Sequence, residues 1–499
     1  MPSPKSNSAP ALSHARSVIA YPQQNPFVLS LPKDKILPIL LSHTEEHKMQ
    51  NEPTAFRVGD PGISEIFGEA SRIQAWLDVE VALAQAQAEL GVIPQHAAEE
   101  IERKARYENL NMDNIREGLA RTGHPLVPMV WELDRICDGD AGGYIHWGAT
   151  TQNITQTGKL LNLRRAHNVF LHQLADLLNL LADLAESTAD AALPGRTHGQ
   201  HAVPATYGYK VSVWIDELCR HVERLRGCET RVFVAMLGGG AGTLASLGEI
   251  GLDIQDGIAQ RLGMTSMSNP SRTIGDHLTE YITILALLAA TCSKIGREVY
   301  TQMKQEFGEV EEPVPEGTVG SSTMPQKRNP KLAQDIVAGA AQVRALVPLA
   351  LEAMQTEHEA DRTTSVMIDK ALNEACILTG DILQRMLNLF SGIRVFPDRM
   401  RQNLDLSGGL IMSEAIMLEL GRQIGRQQAH DAVYEAAQAS FIQGRPFSET
   451  LAEEHEVSQR LTPEQIQALL DPTAYTGACS LFAHRGATQA RQTATAILT

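Results

Sequence analysis

The chain has 499 residues, 43% apolar and 20% charged, with aromatics at only 5%. Alanine and leucine dominate long stretches, which favours helices over strands. The net charge of −16 and the lack of any basic run argue against a nucleic-acid partner. Six cysteines (137, 219, 228, 292, 376 and 479) show no CxxC or metal-like spacing, the pattern of reduced thiols in a cytoplasmic protein.

Residues 1–50 are rich in Ser, Pro, Lys and Asn and read as a disordered or non-native extension, with Met49 as an alternative start. Helical periodicity begins at Ile63. Ile66, Ile73, Trp76, Leu77, Val81 and Leu83 recur near a 3.6 period, and Gly91 predicts the end of that helix. Shorter helices are expected to about residue 137, before a glycine-rich segment, Gly139–Gly148.

Five long amphipathic helices follow. Phe170, Leu174, Leu177, Leu181 and Leu184 form a bundle seam in the first, with Leu171, Leu178 and Leu180 widening it. The others are predicted from about Ala205 to Val232, around Leu285–Val299, from Pro330 to Gln355, and from Thr364 to Phe390. The apolar run Ile282–Cys292 alone is too short to span a bilayer, so no membrane partner is expected. After Val395 the pattern shortens. The reading is an all-α, three-domain chain: 51–155, a central long-helix bundle at 156–395, and a small C-terminal unit at 396–499. Apolar residues on more than one helix face call either for a thick single-chain core or for packing against further copies.

Three segments carry chemistry. The first is Gly320-Ser321-Ser322-Thr323-Met324-Pro325-Gln326-Lys327-Arg328-Asn329-Pro330, leading into a long helix. Hydroxyls, a cation, an amide and backbone N–H groups at a helix N-terminus suit an anion. Removing a proton next to a carboxylate builds an enolate-like dianion that such groups stabilise, and a serine oxygen whose pKa they depress can act as base. The competing reading of the string alone is a serine-rich helix cap. The second segment, Gly195-Arg196-Thr197-His198-Gly199-Gln200-His201, is bracketed by Pro194 and Pro204 and is expected to be a loop. His198 is a natural acid or base. His198 and His201 lack a third metal ligand nearby, so no metal is expected, and His201 reads as structural. The third, His146-Trp147-Gly148-Ala149-Thr150-Thr151-Gln152-Asn153, places hydroxyls and amides before a long helix, suited to carboxylate binding or to ordinary capping.

The first string fits G-S-x-x-M-x-x-K-x-N at every defined position and resembles the signature of the fumarase/aspartase superfamily. The second resembles that superfamily's T-H-x-Q stretch, and the third its first conserved stretch. The resemblance covers about residues 55–495. It implies a homotetramer in which three subunits supply each site, acting on a small carboxylate with no metal or organic cofactor. By the same resemblance Ser321 and His198 are catalytic. Thr150, Thr151, Asn153, Thr197, Gln200, Ser322, Met324, Lys327 and Asn329 bind substrate, although Thr151 and Asn153 stand where the family more often has Ser and Asp.

Gln74–Glu80, His146–Thr150, Leu237–Leu244 and Met400–Leu410 look most like the carboxymuconate cycloisomerase branch. Adenylosuccinate lyase, the neighbouring branch, usually has His-Asp where this chain has His124-Pro125, and a lysine near Leu237. Cycloisomerases tend to lack the histidine that this chain keeps at His198. The resemblance therefore implies β-elimination with C–N or C–O cleavage from a succinyl-type substrate. Lactone formation and adenylosuccinate cleavage are the alternatives, and a non-catalytic helical scaffold is the alternative of another class. In Glu357-His358-Glu359-Ala360-Asp361-Arg362, Ala360 replaces the arginine of H-E-R-D, and Arg362 follows two residues later, which implies a displaced substrate-binding cation.

Overall fold

The computed structural model describes residues 58–314, 321 and 323–499. The expected extension 1–50, Gly320 and Ser322 lie outside the described residues.

The architecture is helical. After a short turn at Ile63–Ile66 comes helix Glu69–Glu89 (α1), which ends just before Gly91, at φ +71°. The bundle is built from Thr151–Ser187 (α2), Tyr207–Val232 (α3), Asp276–Gln302 (α4), Lys331–Glu352 (α5) and Arg362–Ser391 (α6). These bounds lie close to the periodicity, because a stripe repeating every three to four residues has one helical solution that buries it. Phe170, Leu174, Leu177, Leu181 and Leu184 are all buried, in one core with Leu218, Leu285, Ile336 and Leu383 from the other four helices. Close approach is built in. A Cβ on Gly208, at the start of α3, would stand 2.4 Å from the Ala185 carbonyl oxygen of α2.

Helix α4 contains the apolar run Ile282–Cys292 but extends well beyond it. Its 27 residues are long and apolar enough by length and composition to cross a membrane, and 67% of its most apolar window is buried inside the protein. The whole helix, unlike the short run, is therefore long enough to span a bilayer. Its apolar surface is spent on the bundle core.

The final helix, Cys479–Leu498 (α7), belongs to the stretch expected as a small C-terminal unit. It packs against α2 and α3, and its Ala487, Ala490, Ala494 and Ile497 share the bundle core. Small residues on that face let the backbones approach, a signal that helix length alone does not carry. A separate core, including Ile416, Phe447 and Leu451, holds the shorter helices between residues 413 and 469.

Strand is scarce but placed where it matters. The expected loop at 194–204 is an antiparallel hairpin, Ala192–Thr197 (β1) and Gln200–Thr206 (β2), with Pro194 opposite Pro204. Its two-residue tip is His198 and Gly199, at φ +52° and +78°. Successive positive φ values are what tight hairpin turns require. Prolines at 194 and 204 pointed to a loop because proline is rare within paired strands.

Candidate active site

The N-terminus of α2 holds the first group. Thr150 is the N-cap residue. Asn153 Oδ1 accepts from the backbone N–H groups of Thr150 (3.0 Å) and Gly239 (3.1 Å). Asn153 is buried, so its oxygen ties the helix start to the glycine loop. Thr150 and Thr151 remain partly accessible.

Two histidines that sequence reasoning left without a role flank this end. His124 Nδ1 accepts from the N–H groups of Val127 (3.1 Å) and Leu126 (3.3 Å). The ring proton is thereby placed on Nε2, 3.3 Å from Thr151 Oγ1. His146 sits at φ +62°, with Nδ1 2.7 Å from Oε1 of the buried Glu80. Burial works against its cation, but the hydrogen bond and charge of Glu80 outweigh it and raise the His146 pKa above the ordinary value. The pairing spans 66 residues, too far for a local motif to reveal. Leu237 is buried in the core of α1 and its neighbours, and Asp361 caps α6 through the Thr363 N–H (2.8 Å), which puts Arg362 in its exposed first turn.

The second group is the hairpin tip. Thr197, His198, Gly199 and Gln200 are all exposed. What holds the tip out is the strand below it. Arg196 forms a two-pronged pair with the fully buried Glu309, at 2.5 and 3.1 Å, and lies over the Phe307 ring. Asn403 Nδ2 donates to the same carboxylate at 2.8 Å. His201, opposite Arg196 in the strand register, is half-buried, and burial followed by the Arg196 charge lowers its pKa.

The third group is the loop before α5. Ser321 Oγ accepts from the backbone N–H groups of Met324 (3.1 Å) and Thr323 (3.4 Å). Donors aimed at a hydroxyl oxygen stabilise its alkoxide. Met324 and Lys327 are exposed, and Asn329 is partly so. The helix N-terminus itself is not open to an external anion as expected. The buried Glu312 carboxylate accepts from the N–H groups of Leu332 (3.1 Å) and Ala333 (3.2 Å). Glu311 pairs with Arg328 (3.1 Å) and Arg394 (2.8 Å). Both glutamates anchor the residues that lead into α5, and Ser321 and Lys327 lie before that anchor.

The Thr150 group does not meet the other two within one protomer. Helix α2 has 37 residues, about 55 Å at 1.5 Å per residue, with Thr150 before its start and the His198 hairpin beyond its end. The signature loop precedes α5, whereas Ala353 at the far end of α5 lines a cleft with Gln152. The 22 residues of α5 put about 33 Å between them. The Thr150 group occupies one end of the bundle, and the His198 and Ser321 groups the other. Among the described residues no three His, Cys, Asp or Glu side chains gather as a metal site.

The profile of the lyase family matches residues 55–345, and that of the adenylosuccinate lyase C-terminus matches residues 409–485. The chain is similar to N-acetyl-S-(2-succino)cysteine lyase of Dickeya dadantii, with 38% identity over 84% of this chain and 92% of that one. It is similar to adenylosuccinate lyase of Methanothermobacter thermautotrophicus, with 39% identity over 88% and 98%. The crystal structure of 3-carboxy-cis,cis-muconate lactonizing enzyme from Pseudomonas putida superposes with a TM-score of 0.81, at 33% identity over 88% of this chain and 99% of that one. With its bundle, its three presented segments and these relatives, the chain belongs to the lyase family of the fumarase/aspartase superfamily and is an enzyme.

Proposed function

We propose that the enzyme catalyses β-elimination from a succinyl-type carboxylate, with Ser321 as base and His198 as acid. The observation that carries the reading is the pair of backbone N–H groups, from Thr323 and Met324, directed at Ser321 Oγ. They favour the alkoxide a serine base requires. Ser321 Oγ takes the proton from the carbon next to a carboxylate. The released electron pair becomes the C=C bond, the bond to the leaving heteroatom breaks, and His198 supplies a proton to that heteroatom. Lys327 and Asn329 hold the carboxylate on which charge builds, and Thr150 and Thr151 position the same substrate, assisted by Thr197, Gln200, Ser322 and Met324. No step calls on a metal or an organic cofactor.

The sites are shared in a homotetramer. Separations of tens of ångströms within one chain leave assembly as the way to unite the groups. Tyr209 and Val213 on α3, Leu287 on α4, Leu351 on α5 and Val366 on α6 expose apolar surface that further protomers would cover. The similarity to a muconate lactonizing enzyme supports lactone formation as a second reading, and His198 weighs against it. A nucleotide substrate fits less well, because Leu237 is a core residue where adenylosuccinate lyase carries a lysine.

Purified protein incubated with aspartate and cysteine succinyl adducts, adenylosuccinate and carboxymuconate, followed by ultraviolet absorbance, tests the proposal. Growth of alkene absorbance from a succinyl adduct supports it. Turnover of carboxymuconate alone would replace it with the second reading.

A further inference from the structure

A concavity of about 210 Å³ lies on the flank of the bundle, between α2, the end of α3 and the turn at 263–265 that follows helix Ile250–Leu262. Arg164, on its α2 wall, lies between three and four turns beyond Thr151, about 20 Å along the helix at 1.5 Å per residue. The concavity is therefore remote from the Thr150 group of the same protomer. Its other charged lining groups are His167, Arg226 and Glu229.

Those three groups satisfy one another. Glu229 Oε1 accepts from Arg226 Nη1 at 2.9 Å and lies 3.1 Å from Nε2 of the buried His167. Burial outweighs the pull of Glu229 and lowers the His167 pKa, so the neutral ring donates its Nε2–H to that carboxylate. Arg164 has no such partner. The nearby Arg165, Arg226 and Arg261 each meet a carboxylate, of Asp78, Glu229 and Glu89. Arg164 donates to the Gly263 carbonyl and pairs with no acid among the described residues. It is half-buried, and burial, followed by the charge of Arg165, lowers its pKa. An anion beside it would remove that strain on its charge. Gly263, at φ +63°, admits the guanidinium, since a Cβ there would stand 2.9 Å from Arg164 Nη1. The same concavity is lined by Asn168, Thr230 and Thr265, whose side chains make no hydrogen bond among the described residues.

We propose that this concavity is a binding site for a small oxyanion, a phosphate or a carboxylate. Arg164 supplies the charge, and the Asn168 amide and the Thr230 and Thr265 hydroxyls supply neutral donors. At about 210 Å³ it is smaller than the roughly 300–1,000 Å³ of pockets for drug-sized ligands, which limits the occupant to an inorganic anion or a short-chain acid. Bound there, the anion ties α2 to the end of α3 and to the turn at 263–265, as an effector rather than a substrate. The site does not depend on the lyase reading above.

The test is calorimetry on the full-length protein, with inorganic phosphate in one arm and succinate in the other. Lys327→Met serves as the control, because it removes a cation from the proposed catalytic loop and with it anion binding there. Binding persists in Lys327→Met and weakens about tenfold in Arg164→Gln, as expected when a charge-assisted hydrogen bond is lost. Glu229→Gln strengthens it, since a negative charge leaves the wall while the amide oxygen still accepts from Arg226 and His167. A misfolded variant does not gain affinity, so the opposite signs separate the proposal from structural damage. This pattern with phosphate, with succinate or with both supports the site and tells which oxyanion it prefers. No binding of either anion overturns it. So does binding that is lost in Lys327→Met and kept in Arg164→Gln, which would place the anion among the catalytic groups, or binding weakened by Arg164→Gln and Glu229→Gln alike.

Discussion

The two ends of the bundle are built in opposite ways. At the Thr150 end the polar groups are tied down: Asn153 by two N–H groups, His124 by three contacts, His146 by Glu80. At the other end the anchoring lies beneath the chemistry. Arg196–Glu309 and Glu312 fix the bases of the hairpin and the loop, while Thr197, His198, Gln200 and Lys327 stand exposed. The first end is held in place within the protomer. The second presents side chains to something outside the protomer, as proposed for a shared site.

The sharpest way to break this contrast is at the exposed end. Ser321→Ala is expected to lower kcat by about 10²–10⁴-fold while substrate still binds, since that is the usual worth of positioned proton transfer. A variant keeping more than about a tenth of kcat would remove Ser321 from the role of base. His198→Asn comes next, about 10²-fold for poor leaving groups and much less for good ones. Asparagine tolerates the left-handed backbone at this tip, so an equal loss for both classes would mark the residue as structural.

At the tied-down end the expected effect is on stability. Asn153→Ala strands the buried Gly239 N–H and the partly buried Thr150 N–H and should cost about 1–3 kcal/mol in denaturant unfolding. Unchanged stability with a raised KM would mark Asn153 as a substrate ligand. The smallest effect is pH-dependent. The raised pKa of His146 means that its pairing with Glu80 contributes stability fully below the ordinary histidine value of about 6.5, and loses it as pH rises through the folded value. The stability gap between the wild type and His146→Asn should therefore narrow as pH is raised. A gap that widened would contradict the pairing.

The helices and the three segments were legible because their signals are local. Period and capping chemistry bound α3, α5 and α6 to within a few residues. What stayed hidden was masked by proline or was long-range. The hairpin depends on pairing Ala192 with Thr206, and the prolines at 194 and 204 disguise strands as a loop. Glu312 fills the helix N-terminus that looked free for an external anion, from 20 residues away. Asn153, expected among the substrate ligands, is buried and engaged with Gly239, 86 residues on. A polar residue in a motif looks the same whether it faces substrate or backbone.

The central claim is that Ser321 acts with the Thr150 group only across protomers, and reassembly of two defective enzymes tests it most directly. Ser321→Ala and Thr151→Val proteins, each of low activity, are dissociated, mixed in equal amounts and reassembled, with mixed oligomers verified by mass. The account predicts recovered turnover approaching roughly a quarter of the wild-type value, the share of sites that random assortment in a symmetric oligomer frees of both substitutions. No recovery in verified mixed oligomers, or full activity in a stable wild-type monomer, would contradict it.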